Sequence, residues 1–244
     1  MESAGSTGRP SWVAVDGPAG AGKSTLARAL ARELGFRYVD TGATYRAAAL
    51  AALEAGLSPD DPAHHARIVE LVRSLDLRLG VDPNTDGPTP VFLNGRDVSA
   101  AVRSLEVGQA ASSVARIPEV RHILAGYQRH LAEEGPCVMD GRDIGTVVLP
   151  EAPVKLFVTA SLEERARRRA GELLALGEGQ AAGDVDLGAL TEQLKARDQQ
   201  DTSRSASPLM AAPDAVTLDT TGQDFETVLR RALLVCRERL GGGD

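Results

Sequence analysis

The sequence predicts an α/β domain with a five-stranded parallel sheet and helices on both of its faces. Three observations lead there: five short apolar runs, helical patterns between them, and a glycine-rich loop between the first run and the first helix. The runs are Trp12–Asp16, Phe36–Val39, Pro136–Asp140, Val154–Thr159 and Ala215–Asp219. Most are near-continuous rather than alternating, as strands covered on both faces must be. Helical patterns cover Lys23–Leu34, Pro118–Glu134, Ser161–Leu176 and Asp224–Leu240. Two regions break the alternation. Leu75–Val98 carries short β-like pieces, and its Asn94-Gly95 is a two-residue hairpin signal, so a small antiparallel insert is expected. Gly171–Asp198 runs from a helix through Gly-rich GEGQAAGD into another helix, and reads as a hinged helical flap.

Composition narrows the function classes. The 244 residues are 43% hydrophobic, enough for one good core with small lobes. A net charge of −7 argues against nucleic-acid polymers as partners. Cys137 and Cys236 stand far apart, and His64, His65, His122 and His130 show no ligand spacing, so neither a disulfide framework nor a metal cluster is expected. Residues 1–11 are small and polar, without the apolar core of a signal peptide, and read as a disordered tail. No apolar run nears the roughly 18 residues of a membrane span. A cytoplasmic, membrane-free monomer is expected.

Gly17, Pro18, Ala19, Gly20, Ala21, Gly22, Lys23 and Ser24 match GxxxxGK[ST], with Thr25 next, directly after a strand and before a helix. Glycines let backbone N–H groups curl around phosphate oxygens, and the helix N-terminus adds its positive end. Lys23 is placed to bridge the β- and γ-phosphates of ATP, and the Ser24 hydroxyl to ligate Mg²⁺. A guanine-specific NKxD is not found; Asn94-Gly95-Arg96-Asp97 lacks the Lys and sits in the hairpin.

In an open α/β sheet, ligands collect at the carboxyl ends of strands. Asp40-Thr41-Gly42-Ala43-Thr44-Tyr45-Arg46 and Asp140-Gly141-Arg142-Asp143 therefore share a rim with the loop. Arg46 and Arg142 can fork hydrogen bonds to a phosphate, and Asp140 can hold Mg²⁺ through water. A plain N-cap with a solvated Arg, and a DG turn with a compensating ion pair, account for the same residues. Ser161-Leu162-Glu163-Glu164 is a capping box opening a helix in which Arg165, Arg168 and Arg169 share a face. Glu163–Arg167 and Glu164–Arg168 pairing explains only part of that arginine content.

Taken together, GPAGAGKST, DTGATYR, LNGRDV, DGRDIGTVV, SLEERARRR and RDQQDTSRSASPL resemble the bacterial cytidylate kinases of the nucleoside-monophosphate kinase superfamily, from about Val13 to about Leu240. The resemblance implies the P-loop nucleoside-monophosphate kinase fold. It divides the chain into a core (12–41, 104–160, 205–240), a monophosphate-binding lobe with the β insert (42–103) and a lid (161–204). It implies transfer of the ATP γ-phosphoryl to CMP, and to dCMP, with Mg²⁺. Arg46, Arg142 and Arg204 are implied to hold the acceptor phosphate; Ser112, Arg121 and Asp143 to read cytosine; Arg197 and Asp201 to contact the ribose. Thr41 and Tyr45 lie beside the acceptor, and Arg165, Arg168 and Arg169 are the lid arginines. Gln199 and Gln200 stand where some relatives carry charge and receive no role. Two other functions fit the residues alone: a P-loop kinase of UMP or a metabolite alcohol, and a non-catalytic nucleotide-binding regulator.

Overall fold

A computed structural model describes residues 10–80, 87–175, 186–204 and 207–241. In chain order its elements are β1 (Trp12–Asp16), α1 (Lys23–Leu34), β2 (Arg37–Asp40), α2 (Thr41–Glu54), α3 (His65–Ser74), β3 (Leu77–Leu79), β4 (Val91–Leu93), β5 (Arg96–Asp97), α4 (Leu105–Val114), α5 (Pro118–Glu133), β6 (Cys137–Asp140), β7 (Val154–Thr159), α6 (Leu162–Ala175), α7 (Leu187–Thr202), β8 (Val216–Asp219) and α8 (Phe225–Leu240). The tail up to residue 9, residues 81–86 of the insert, the Gly-rich stretch of the flap and the last three residues lie outside the described residues.

The five apolar runs pair as one parallel sheet, in the order β2-β6-β1-β7-β8. The sequence places three strand starts one residue early, for local reasons. Gly35 ends α1 in a left-handed conformation at φ 68°, and the Phe36 N–H bonds back to the Ala31 carbonyl, so Phe36 still belongs to the helix stop. Pro136 has no N–H to give a ladder, and the Ala215 N–H is spent on a turn to Ala212. Inside the sheet, alternate residues enter two apolar layers. Val13, Val15, Val138, Leu156 and Leu218 pack with Leu26 and Leu30 of α1 and Leu229 of α8. Ala14, Val39, Cys137 and Met139 pack on the other side with α2, α4 and α5. This double burial is what makes the strands apolar without interruption.

The small sheet, β3-β4-β5, is antiparallel, as the insert predicts. Asn94 and Gly95 both take positive φ, at 51° and 76°, the pair of angles a two-residue turn of matching twist demands. A third, smaller apolar cluster joins Ala19 of the glycine-rich loop to Ala166 and Ala170 of α6 and Leu190 and Leu194 of α7. The flap helices are thereby packed onto the loop. No described helix is long and apolar enough to cross a membrane.

Register aligns the functional rim. Asp140 pairs with both Val15 and Asp40, Asp16 with Phe157, and Thr159 with Asp219. The carboxyl ends of all five strands therefore open on one side, which is where the glycine-rich loop leaves β1.

Candidate active site

The loop is built for close approach. Gly17 sits at φ +146°, and a Cβ there would lie 1.9 Å from the Val158 carbonyl oxygen, so no other residue fits. Gly22, at φ 85°, turns the chain into α1, whose first intrahelical bond runs from the Leu26 N–H to the Gly22 carbonyl. The amides of Lys23, Ser24 and Thr25 are left without intrahelical acceptors, at the positive end of the helix. Lys23 folds back over the loop, its Nζ donating to the Pro18 carbonyl at 2.6 Å. Burial, and then the nearby Arg142, lower its affinity for a proton well below the usual lysine range, while Asp140 and Asp16 oppose that shift.

Asp140, at the end of β6, is the hub beside the loop. The Ser24 hydroxyl donates to Oδ2 at 2.6 Å, the Tyr38 hydroxyl to Oδ1 at 2.7 Å, and the Thr41 hydroxyl to the Asp140 carbonyl at 2.6 Å. Asp40 caps α2 by accepting from the Ala43 N–H at 3.0 Å, and its second oxygen pairs with Arg46 at 2.7 Å.

Across the rim, Arg142 and Arg204 converge on Asp201 of α7, whose side chain is only 3% exposed. Arg142 Nε donates at 3.0 Å and Arg204 Nη2 takes the other oxygen. Arg197, one turn earlier on α7, is pushed down to about 10 by burial and then by Arg142, with Arg204 and Arg169 adding to the effect. It remains a cation at neutral pH, crowded by other cations. Arg121 of α5 pairs with Asp143, both side chains under a tenth exposed, and its guanidinium lies 5.5 Å from the Tyr45 ring centroid. Arg142, Asp143, Arg121, Tyr45, Arg197, Asp201 and Arg204 thus form one cluster. Ser112 enters through its carbonyl, which accepts from Gln200 Nε2 at 3.3 Å, giving that Gln a contact no sequence signal marks. Arg46 faces Asp40 at the start of α2.

The lid arginines separate. Arg165 Nη1 reaches the Ala19 carbonyl at 3.1 Å and Nη2 pairs with Asp198 at 2.7 Å. Arg168 Nη1 reaches the Ala21 carbonyl at 3.4 Å, and both its terminal nitrogens bind Thr220. Arg169 instead pairs with Glu172 and is 41% exposed. Glu164 serves both Arg167 and Arg168, while Glu163 turns back to the Ser161 hydroxyl, so the expected Glu163–Arg167 pair is replaced. Only half of the expected capping box forms. The Glu164 N–H donates to the Ser161 hydroxyl at 3.2 Å, while the Ser161 N–H goes to the Thr221 hydroxyl because the Glu164 carboxylate is taken by the two arginines.

Asp16 is a site residue that sequence reading missed. It accepts from the Ile144 and Gly145 amides, both at 2.8 Å, and so ties the strand before the loop to the π-helical turn (Ile144–Val148) that follows Asp143. Its place as the last residue of β1, beside the loop, is the available signal. Burial raises its carboxyl from 3.8 to about 6, against the pull of the two amides. The folded protein therefore holds this proton more tightly than the unfolded chain does, and Asp16's contribution to stability grows as pH falls from 7 to 5, by about 1 kcal/mol. Urea denaturation at both pH values is expected to show wild type gaining that amount on Asp16→Asn as the pH drops; an equal response in the two proteins contradicts the assignment.

The profile of the family described as Cytidylate kinase matches residues 13–238. A protein named cytidylate kinase from Exiguobacterium sibiricum is 51% identical over 219 residues, spanning 90% of this chain and 93% of its own length. Another of that name, from Caldanaerobacter subterraneus subsp. tengcongensis, is 47% identical over 230 residues, spanning 94% and 96%. A crystal structure of an uncharacterized protein from Eubacterium ventriosum superposes with a TM-score of 0.50 at 12% identity, over 94% of this chain and 99% of that one, a likeness of fold alone.

Proposed function

The chain belongs to the cytidylate kinase family, and from that premise we propose how its rim works: ATP over the glycine-rich loop, CMP against the Arg142–Asp143 cluster. It is a phosphotransferase that phosphorylates CMP at the expense of ATP. Family membership sets aside the metabolite-alcohol kinase and the non-catalytic regulator. The observation that carries the site assignment is the buried cationic cluster around Asp201, close enough to Lys23 for Arg142 and Arg197 to act on its proton affinity. Crowded, partly desolvated cations gain most from an anion that joins them.

The acceptor residues are Arg46, Arg142 and Arg204 for the phosphate, Ser112, Arg121 and Asp143 for the base, and Arg197 and Asp201 for the ribose, with Thr41 and Tyr45 beside them. The Nε atoms of Arg46, Arg121 and Arg204 are buried without a protein partner, which suits residues meant for a polar ligand. Cytosine offers an N4 donor to Asp143, where uracil places a carbonyl against the carboxylate. Arg197 and Asp201 stand toward the ribose in this reading, and dCMP is taken as a substrate beside CMP. All these groups come from one chain, and a monomer suffices.

Adjacent oxygen donors, the Ser24 hydroxyl and the Asp140 carboxylate, fit Mg²⁺, an ion that takes one or two protein ligands and draws the rest from phosphates and water. When bound, it neutralises charge on the β- and γ-phosphates. The acceptor phosphate, with a second pKa of about 6, arrives largely dianionic, so no strong general base is needed. Lys23 and the loop amides hold the donor phosphates; Arg142 and Arg204 align the attacking oxygen. The 161–204 lid excludes water, with Arg165 and Arg168 pinned to the loop carbonyls, and Arg169 turns in from Glu172 on closure.

Coupled ADP release over CMP, dCMP, UMP, AMP, GMP and dTMP tests the reading. CMP and dCMP are expected to stimulate strongly and UMP weakly, with the purine monophosphates and dTMP at background. Equal stimulation by AMP, or none by CMP, contradicts it.

A further inference from the structure

We propose that Tyr38 is a positioning residue for phosphoryl transfer, holding the Asp140 carboxylate in the orientation that Mg²⁺·ATP requires. The inference rests on the reading of Asp140 as the metal-site carboxylate. Each of its two oxygens receives one side-chain donor, Ser24 at 2.6 Å and Tyr38 at 2.7 Å. The terminal torsion of an aspartate is soft, so a carboxylate held at one oxygen alone can turn. A Ser24 hydroxyl engaged elsewhere leaves Tyr38 as the remaining side-chain donor.

Tyr38 is itself immobilised. It lies in the middle of β2, paired with Val138 of β6, and its ring packs in the apolar layer under α1. Arg28 covers the ring at 4.3 Å and is anchored by donating to the Gly87 carbonyl at 2.7 Å. An apolar layer asks only for the ring, and phenylalanine would fill it equally. The hydroxyl is the part that core packing does not explain, and among the described residues it is spent on Asp140. A tyrosine hydroxyl is protonated at neutral pH, so it is available as a donor to a carboxylate. The same arrangement recurs around metal ligands generally, where a partner outside the ligand set fixes the ligand's orientation.

Tyr38→Phe keeps the ring and removes the donor. The Mg²⁺ concentration for half-maximal rate is expected to rise about tenfold. In calorimetry, the gain in ATP affinity on adding Mg²⁺ is expected to shrink by a similar factor. Metal-free ATP affinity and the KM for CMP should stay within about twofold of wild type. Arg28→Leu, which frees the ring but leaves the hydroxyl, should shift the metal dependence the same way by less. Asp140→Asn is measured in parallel. If it weakens the metal dependence while Tyr38→Phe and Arg28→Leu match wild type, the positioning role is overturned and the metal-site reading stands. If Asp140→Asn also matches wild type, that reading falls, and the role of Tyr38 with it. A purely packing role for Tyr38 would lower the unfolding temperature without changing the response to Mg²⁺, which also overturns the proposal.

Discussion

Replacing Lys23 by alanine is expected to lower kcat by about a thousandfold or more while the protein stays folded. Removing one preorganised donor aimed at developing charge typically costs that much, about 4 kcal/mol of transition-state stabilisation. Lys23 is a buried cation whose charged form is disfavoured by burial and by Arg142. Its removal relieves that repulsion while giving up some packed methylenes, so the unfolding temperature should stay near wild type. Steady-state kinetics beside thermal denaturation checks both halves. A variant retaining a tenth of wild-type kcat contradicts the assignment, and one that fails to fold contradicts the electrostatic reading.

The second large effect is on the Arg121–Asp143 pair. Both side chains are buried, so Arg121→Met leaves an uncompensated carboxylate inside the protein. Losses of about 3–5 kcal/mol are usual for that situation. For a chain of this length the unfolding temperature should fall by roughly 10 °C. Replacing both partners, Arg121→Met with Asp143→Leu, should recover most of the stability, because no buried charge remains. It should not recover use of CMP, if the pair reads the base. Calorimetric melting and the KM for CMP across the three variants separate fold from recognition; a double variant with wild-type KM removes the pair from the acceptor site.

The sheet was legible because burial on both faces writes itself as near-continuous apolar runs. Three strand starts shifted where Gly35, Pro136 and a turn at Ala212 intervened, and β2 runs one residue further, to Asp40, which pairs with Asp140. The hairpin was legible because only residues tolerating positive φ, such as Asn94 and Gly95, make that turn. The extent of α2 was not. It is buried on nearly every side, Ala47 through Ala52 included, so it has no polar face to set a period. α3 and α4 carry ordinary signals that the sequence reading passes over: buried Ile68 and Val72 one turn apart in α3, and a Ser104 cap that accepts from the Val107 N–H in α4.

Within the site, the glycine-rich loop is local and can be read from nine consecutive residues. The acceptor cluster draws on residues from Tyr45 to Arg204, and only the fold brings them together. Asp16 and Tyr38 read as strand core, since spacing gives no sign that a phenol 102 residues away donates to Asp140. Gln200 and Asp198 lay in a recognised segment, but their partners Ser112 and Arg165 are on other helices. Arg169 shares a helix face with Arg165 and Arg168, yet face alone does not decide between a loop carbonyl and Glu172.

The central claim is that one rim carries a phosphoryl group directly from ATP to CMP. The most direct measurement follows γ-labelled ATP with CMP and Mg²⁺ and asks where the label goes. Label in CDP, in step with ADP release and lost in Lys23→Ala, is the predicted result. Label appearing only as inorganic phosphate, at a rate indifferent to CMP, would contradict the account.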